Sequence, residues 1–70
     1  MKLAEFSQHE YISGKRHMCS IWLKVRDGSK ELFYGPVTKY RIWGWERCVV
    51  QLMMSSMKVA LTLAGYEVKR

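Results

Sequence analysis

Acidic residues are scarce in this 70-residue chain: six Asp and Glu stand against twelve Lys and Arg, for a formal net charge of +6. No two carboxylates are spaced for acid and base work, no Ser, His and Asp set stands out, and neither a glycine-rich phosphate loop nor an HExxH pair is present. These absences argue against an enzyme and for a binding protein that needs no cofactor. Two cysteines are too few for the disulfide framework of a small secreted domain, so Cys19 and Cys48 read as reduced, buried thiols. His17 and Cys19 alternate onto one face of a strand and would need Cys48 or His9 to hold zinc, but no CxxC or HxxxH spacing supplies a close ligand pair. One proline and no low-complexity run exclude a disordered composition. No apolar run reaches the ~18 residues of a membrane span and no leader pattern is visible, so the expectation is a cytoplasmic protein without a membrane partner.

What is abundant is apolar sequence with helical spacing. Between Trp45 and Ala64 the polar residues Arg47, Gln51, Ser55, Lys58 and Thr62 recur at intervals of four, four, three and four, which gathers them into one stripe of a helix over 45–64. Gly65 follows where a helix C-terminus favours a left-handed residue. Opposite the stripe, Trp45, Val49, Leu52, Met53, Ser56, Ala60 and Leu63 form the face expected to meet a sheet. Beside it runs a second ridge, Val50, Met54, Met57 and Leu61. Together they make an apolar arc of about two thirds of the circumference, wider than the ~100° of an ordinary surface helix. The second ridge is either covered by the N-terminal segment or forms a homodimer seam or a docking face for a protein partner.

Ahead of the helix, Cys19, Ile21, Leu23 and Val25 alternate with Ser20, Trp22, Lys24 and Arg26, the period of a half-buried strand. Asp27-Gly28 fits the centre of a type I′ turn, predicting a hairpin over 18–26 and 29–34 with Trp22 opposite Phe33 and Lys24 opposite Glu31. Gly35-Pro36 ends that hairpin, and 37–43 reads either as the start of a helix capped by Thr38 or, as its strand formers and Gly44 favour, as a third strand with Lys39, Arg41 and Trp43 on one face and Thr38, Tyr40 and Ile42 on the other. Residues 1–17 carry no sustained period. They are expected to be partly irregular, with a turn at Ser13-Gly14-Lys15 and a short strand near 10–12. Residues 66–70 read as a short final strand. The expected fold is therefore α+β, one small domain with an antiparallel sheet packed on one long C-terminal helix.

This arrangement gives the sheet an outer face of Trp22, Lys24, Arg26, Phe33, Lys39, Arg41 and Trp43. Aromatics among cations can stack bases and follow phosphates, so Trp22, Lys24, Arg26, Phe33, Lys39 and Arg41 are the candidate nucleic-acid residues. The order strand, Asp-Gly turn, strand, helix, with Trp22 and Val25-Arg26-Asp27-Gly28, resembles AP2-like and integrase arm-binding domains over about half the chain, although the helix lacks their alanine-rich pattern. That resemblance implies DNA contacts from Trp22, Lys24, Arg26 and Arg41. The competing expectation is stoichiometric docking on a macromolecular partner through Val50, Met54, Met57, Leu61, Trp22 and Trp43. By analogy, such a protein would inhibit or regulate a host nucleic-acid-handling complex, as small proteins of phages and mobile elements do.

Overall fold

The computed structural model describes residues 1–69. Three strands of equal length follow one another: β1 (Lys2–Ser13), β2 (Arg16–Asp27) and β3 (Lys30–Arg41), each of 12 residues. Two-residue loops join them. In both loops glycine takes the first position with positive φ, Gly14 at 63° and Gly28 at 64°, and among the described residues no other residue type has positive φ. Glycine at that position followed by a residue of negative φ is the pattern of a type II′ turn, whose twist suits antiparallel strands. The second loop is thus Gly28-Ser29, one residue later than the Asp27-Gly28 centre expected from the sequence.

Helix α1 (Glu46–Leu63) crosses back over the sheet, and β4 (Glu67–Lys69) then pairs parallel with the start of β1. The sheet order is β3-β2-β1-β4. The helix ends as Gly65 implied. The Gly65 N–H donates to Thr62 O at 3.0 Å and the Tyr66 N–H to Leu61 O at 3.0 Å, the paired bonds of a Schellman motif. The α+β class, the long C-terminal helix and the short final strand match the sequence expectation; Arg70, included in that strand, lies outside the described residues.

The origin of the third long strand differs. Residues 37–43 are not a separate strand, because β3 runs unbroken through Gly35-Pro36 and joins most of the two expected segments, ending at Arg41 before Ile42 and Trp43. An edge strand tolerates proline, since the missing N–H can fall on the unpaired side. The third strand is instead the N-terminal segment, which is a full strand rather than partly irregular. Its weak periodicity has a physical cause. Twelve strand residues span ~40 Å but an 18-residue helix only ~27 Å, so the helix cannot cover the whole sheet. Ala4 and Phe6 lie beneath it and are buried, whereas Gln8 and Glu10 on the same side line a groove beside the helix start and Ile12 lies farther along the strand, all three exposed.

The core is one cluster of Ala4, Phe6, Cys19, Ile21, Leu23, Val25 and Tyr40 from the sheet with Val50 and Met54 from the helix. Val37, Ile42, Met57, Leu61, Tyr66 and Val68 pack around it. The ridge Val50, Met54, Met57 and Leu61 is therefore the core face of the helix. This reverses the expected assignment, in which the sheet took Trp45, Val49, Leu52 and Leu63. Methionines suit the reversal, because an unbranched, flexible side chain fills the irregular space above a twisted sheet. The polar stripe flanks this face rather than opposing it, and Lys58 extends its ammonium over the Phe6 ring, 5.9 Å from the centroid.

Candidate functional site

The outer sheet face is built by register. From β2 it receives Arg16, Met18, Ser20, Trp22, Lys24 and Arg26, and from β1 their partners Ser13, Tyr11, His9, Ser7, Glu5 and Leu3. Across β3 two irregularities intervene, between Val25 and Arg26 and between Ile21 and Trp22. Each extra residue reverses the side to which the following residues point. The first sends Phe33 to the helix side, opposite Val25, and brings Tyr34 to the outer side, opposite Lys24. The second restores the original alternation, so that Lys39 and Arg41 stand outward opposite Ser20 and Met18.

The expected pairs change for two reasons, the turn at Gly28-Ser29, which alone resets the pairing of Glu31, and the first irregularity, which adds to it at Trp22. Trp22 faces Pro36 instead of Phe33, and Glu31 faces Arg26 instead of Lys24. The aromatic centre of the face is Trp22 with Tyr34, ring centroids 5.3 Å apart and planes tilted by 51°. His9 meets Trp22 edge-on at 5.9 Å, and Lys24 places its ammonium 5.7 Å from the Tyr34 centroid. Two hydroxyls steady the group: the Trp22 indole N–H donates to Ser20 Oγ at 3.2 Å, and Ser7 Oγ lies 3.1 Å from His9 Nε2. Ser20 is buried, and the indole bond satisfies its oxygen.

Charge is distributed unevenly along this face. Toward the Gly28 loop, Lys24 lies across from Glu5 and Arg26 from Glu31, while Lys39 and Arg41 nearer the other end have neutral cross-strand partners. Arg16 and Lys15 add to that end, where Arg16 pairs with Ser13. The face is therefore aromatic at its middle and cationic toward the Gly14 loop. The described groove, about 280 Å³, lies on the opposite side, lined by Gln8, Glu10, Tyr40, Ile42, Arg47 and Gln51 near the helix start.

The sequence-derived candidates are thus divided among several places. Trp22, Lys24, Arg26, Lys39 and Arg41 share the outer face, and Phe33 does not. Trp43 sits in the connection after β3, 71% exposed. Val50 and Met54, expected to dock a partner, are 4% and 2% exposed, and Met57 and Leu61 are half-buried beside them. The pair His17 and Cys19 is not joined by its proposed zinc co-ligands. Cys48 is exposed on the far side of the helix, His9 is on the outer sheet face, and no group of three His, Cys, Asp or Glu placed to hold a metal occurs among the described residues. Cys48 is accordingly not the buried thiol expected.

Tyr34, His9 and Arg16 are site members that sequence reasoning missed. The signal for them was the 14-residue interval between Gly14 and Gly28, each followed by a polar residue, which marks consecutive hairpins of equal length. Sequence reading also misplaced the exposed apolar surface, which is the outer side of the helix: Trp45, Val49, Leu52, Val59 and Leu63. No helix among the described residues is long and apolar enough to cross a membrane. No family model, no curated protein and no solved structure matches the chain. The resemblance to AP2-like domains accordingly rests on element order and the residues around Trp22 alone.

Proposed function

We propose that this protein is a non-enzymatic binding module whose outer sheet face holds single-stranded nucleic acid. The observation that supports it most directly is the Trp22 and Tyr34 ring pair set among Lys24, Lys39 and Arg41 on one face. Tyr34 is exposed and Trp22 half-buried beside it; aromatic rings on such a face stack on bases of any identity, and the adjacent cations follow the phosphates. Neutral cross-strand partners leave Lys39 and Arg41 available to an external anion, and the +6 net charge attracts polyanions from a distance.

Fluorescence anisotropy against labelled single-stranded DNA, single-stranded RNA and duplex, from low to physiological salt, tests this reading. Micromolar binding to single strands should persist at physiological salt. Lys39→Ala and Arg41→Ala should each flatten the log–log salt slope by about 0.7 for a lost phosphate contact. Tyr34→Ala should weaken binding by roughly 5- to 150-fold, the equivalent of ~1 to 3 kcal/mol for a stacked base. Binding that disappears at physiological salt, or a slope indifferent to both cation variants, would reject the proposal.

A second reading is stoichiometric docking on a protein partner, in the manner of the small regulators and inhibitors that phages and mobile elements encode. Its support is the exposed apolar side of the helix, which nucleic acid does not explain. It predicts that Leu52→Asp abolishes activity while Lys39→Ala and Arg41→Ala act mainly on association rate.

A further inference from the structure

The exposed side of α1 has an order of its own. Trp45, Val49, Leu52, Ser56, Val59 and Leu63 follow one another at four, three, four, three and four residues, a heptad seam along the whole helix. The sheet does not use it: Trp45, Leu52 and Leu63 are 71%, 75% and 84% exposed. Along the two margins of the seam lie Cys48, Ser55 and Thr62 on one side and Glu46, Met53 and Ala60 on the other, and of these only Glu46 is charged. The Ser55 and Thr62 hydroxyls donate to the carbonyls of Gln51 and Lys58 at 3.0 and 2.8 Å, so their protons are already satisfied within the helix.

The spacing reads the same from either end. When two copies are laid antiparallel with the two-fold axis level with Met54, Trp45 falls opposite Leu63, Val49 opposite Val59, and Leu52 opposite Ser56. Each large residue meets one that leaves it room, twice over, which is the self-complementarity of an isologous interface. Weighted by their exposures, the five apolar side chains offer roughly 600 Å² per copy, or ~1,200 Å² in total, the lower bound of a specific, stable interface. The cations Arg47 and Lys58 stand off the seam, so two copies of net charge +6 meet there without opposing like charges at the contact.

We infer that the occupant of this face is a second copy of the chain, joined as an antiparallel two-helix seam with its two outer sheet faces directed away from each other. Sedimentation equilibrium tests it directly. Wild-type protein should move from 8.3 kDa toward twice that mass as its concentration rises through the micromolar range. Leu52→Asp and Val59→Asp, both at exposed positions, should remain folded by circular dichroism and raise the dimer dissociation constant at least 100-fold. Ile12→Asp, an exposed apolar site on the sheet, should leave it unchanged. A wild type that stays monomeric to about 1 mM would overturn the inference and leave the seam to a different protein, as would a dimer indifferent to both seam variants. Copper-catalysed oxidation tests the direction of the helices. Cys48 lies 12 residues, or ~18 Å along the axis, from its symmetry mate in the antiparallel pair, so wild type should not cross-link. Ser55→Cys in a Cys48→Ser background, close to the axis, should. Efficient Cys48 cross-links would overturn the antiparallel arrangement.

Discussion

Val49 and Val50 are adjacent, chemically identical and part of the same helix, yet Val50 is buried against the sheet while Val49 is 48% exposed. Met54 and Leu52 repeat the contrast one turn later. Hydrophobicity cannot distinguish these ridges, because both are apolar and both have helical spacing. The distinction comes from the sheet, a single layer that offers one surface to one ridge. The other ridge keeps its apolar character without a partner inside the chain. Hydrophobicity at helical spacing thus shows that a ridge is apolar, not that the chain's own core covers it.

The sharpest way to test this contrast is to truncate both ridges and follow denaturant unfolding at sub-micromolar concentration, where association is absent. Met54→Ala should lose about 2 to 5 kcal/mol, the range for a fully buried large side chain, whereas Leu52→Ala should stay within about 0.5 kcal/mol of wild type. Equal losses at both sites would mean that the outer ridge is core after all. A smaller effect distinguishes the two loops. Gly28→Ala forces a left-handed residue beside the covered end of the sheet, where the Gly28 N–H donates to Met1 O at 2.7 Å, and should cost ~1 to 2 kcal/mol. Gly14→Ala imposes similar local strain at the uncovered end. The hairpin tip can fray there and absorb it, so the global loss should be the smaller of the two.

How legible the fold was in its sequence depended on whether local chemistry acted alone. The helix was readable to within one residue at each end, because its polar stripe and Gly65 are local signals and the Schellman bonds depend on no distant partner. The hairpin around Gly28 was readable for the same reason. Its register was not. The turn lies one residue later than the Asp-Gly pair implied, two extra residues in β3 then shift the pairing further, and no periodicity in 30–41 marks where a strand will bulge. That exchange put Tyr34 in the place expected of Phe33. β1 escaped notice because its burial alternates only from Ala4 to Phe6. Beyond that both of its faces meet water, and polar residues occupy both. Of the outer face, the β2 residues and the pair Lys39 and Arg41 were legible from strand alternation, while His9 and Tyr34 required the tertiary pairing of neighbouring strands.

The final strand has a consequence for motion. β1, β2 and β3 are joined by two-residue loops, so their pairing forms between near neighbours in the chain. β4 joins Glu67 to Leu3, and its ladder is only three residues long. Closing so long a loop for so few hydrogen bonds is entropically unfavourable, and the return must come from burying Tyr66 and Val68 at the margin of the core. β4 is therefore expected to be the most weakly held strand of the sheet. In native-state hydrogen exchange, the amides of residues 67–69 should open at the lowest free energy of any paired segment, well before those of Cys19 to Val25. The sheet would then breathe from its parallel edge while the antiparallel meander stays closed.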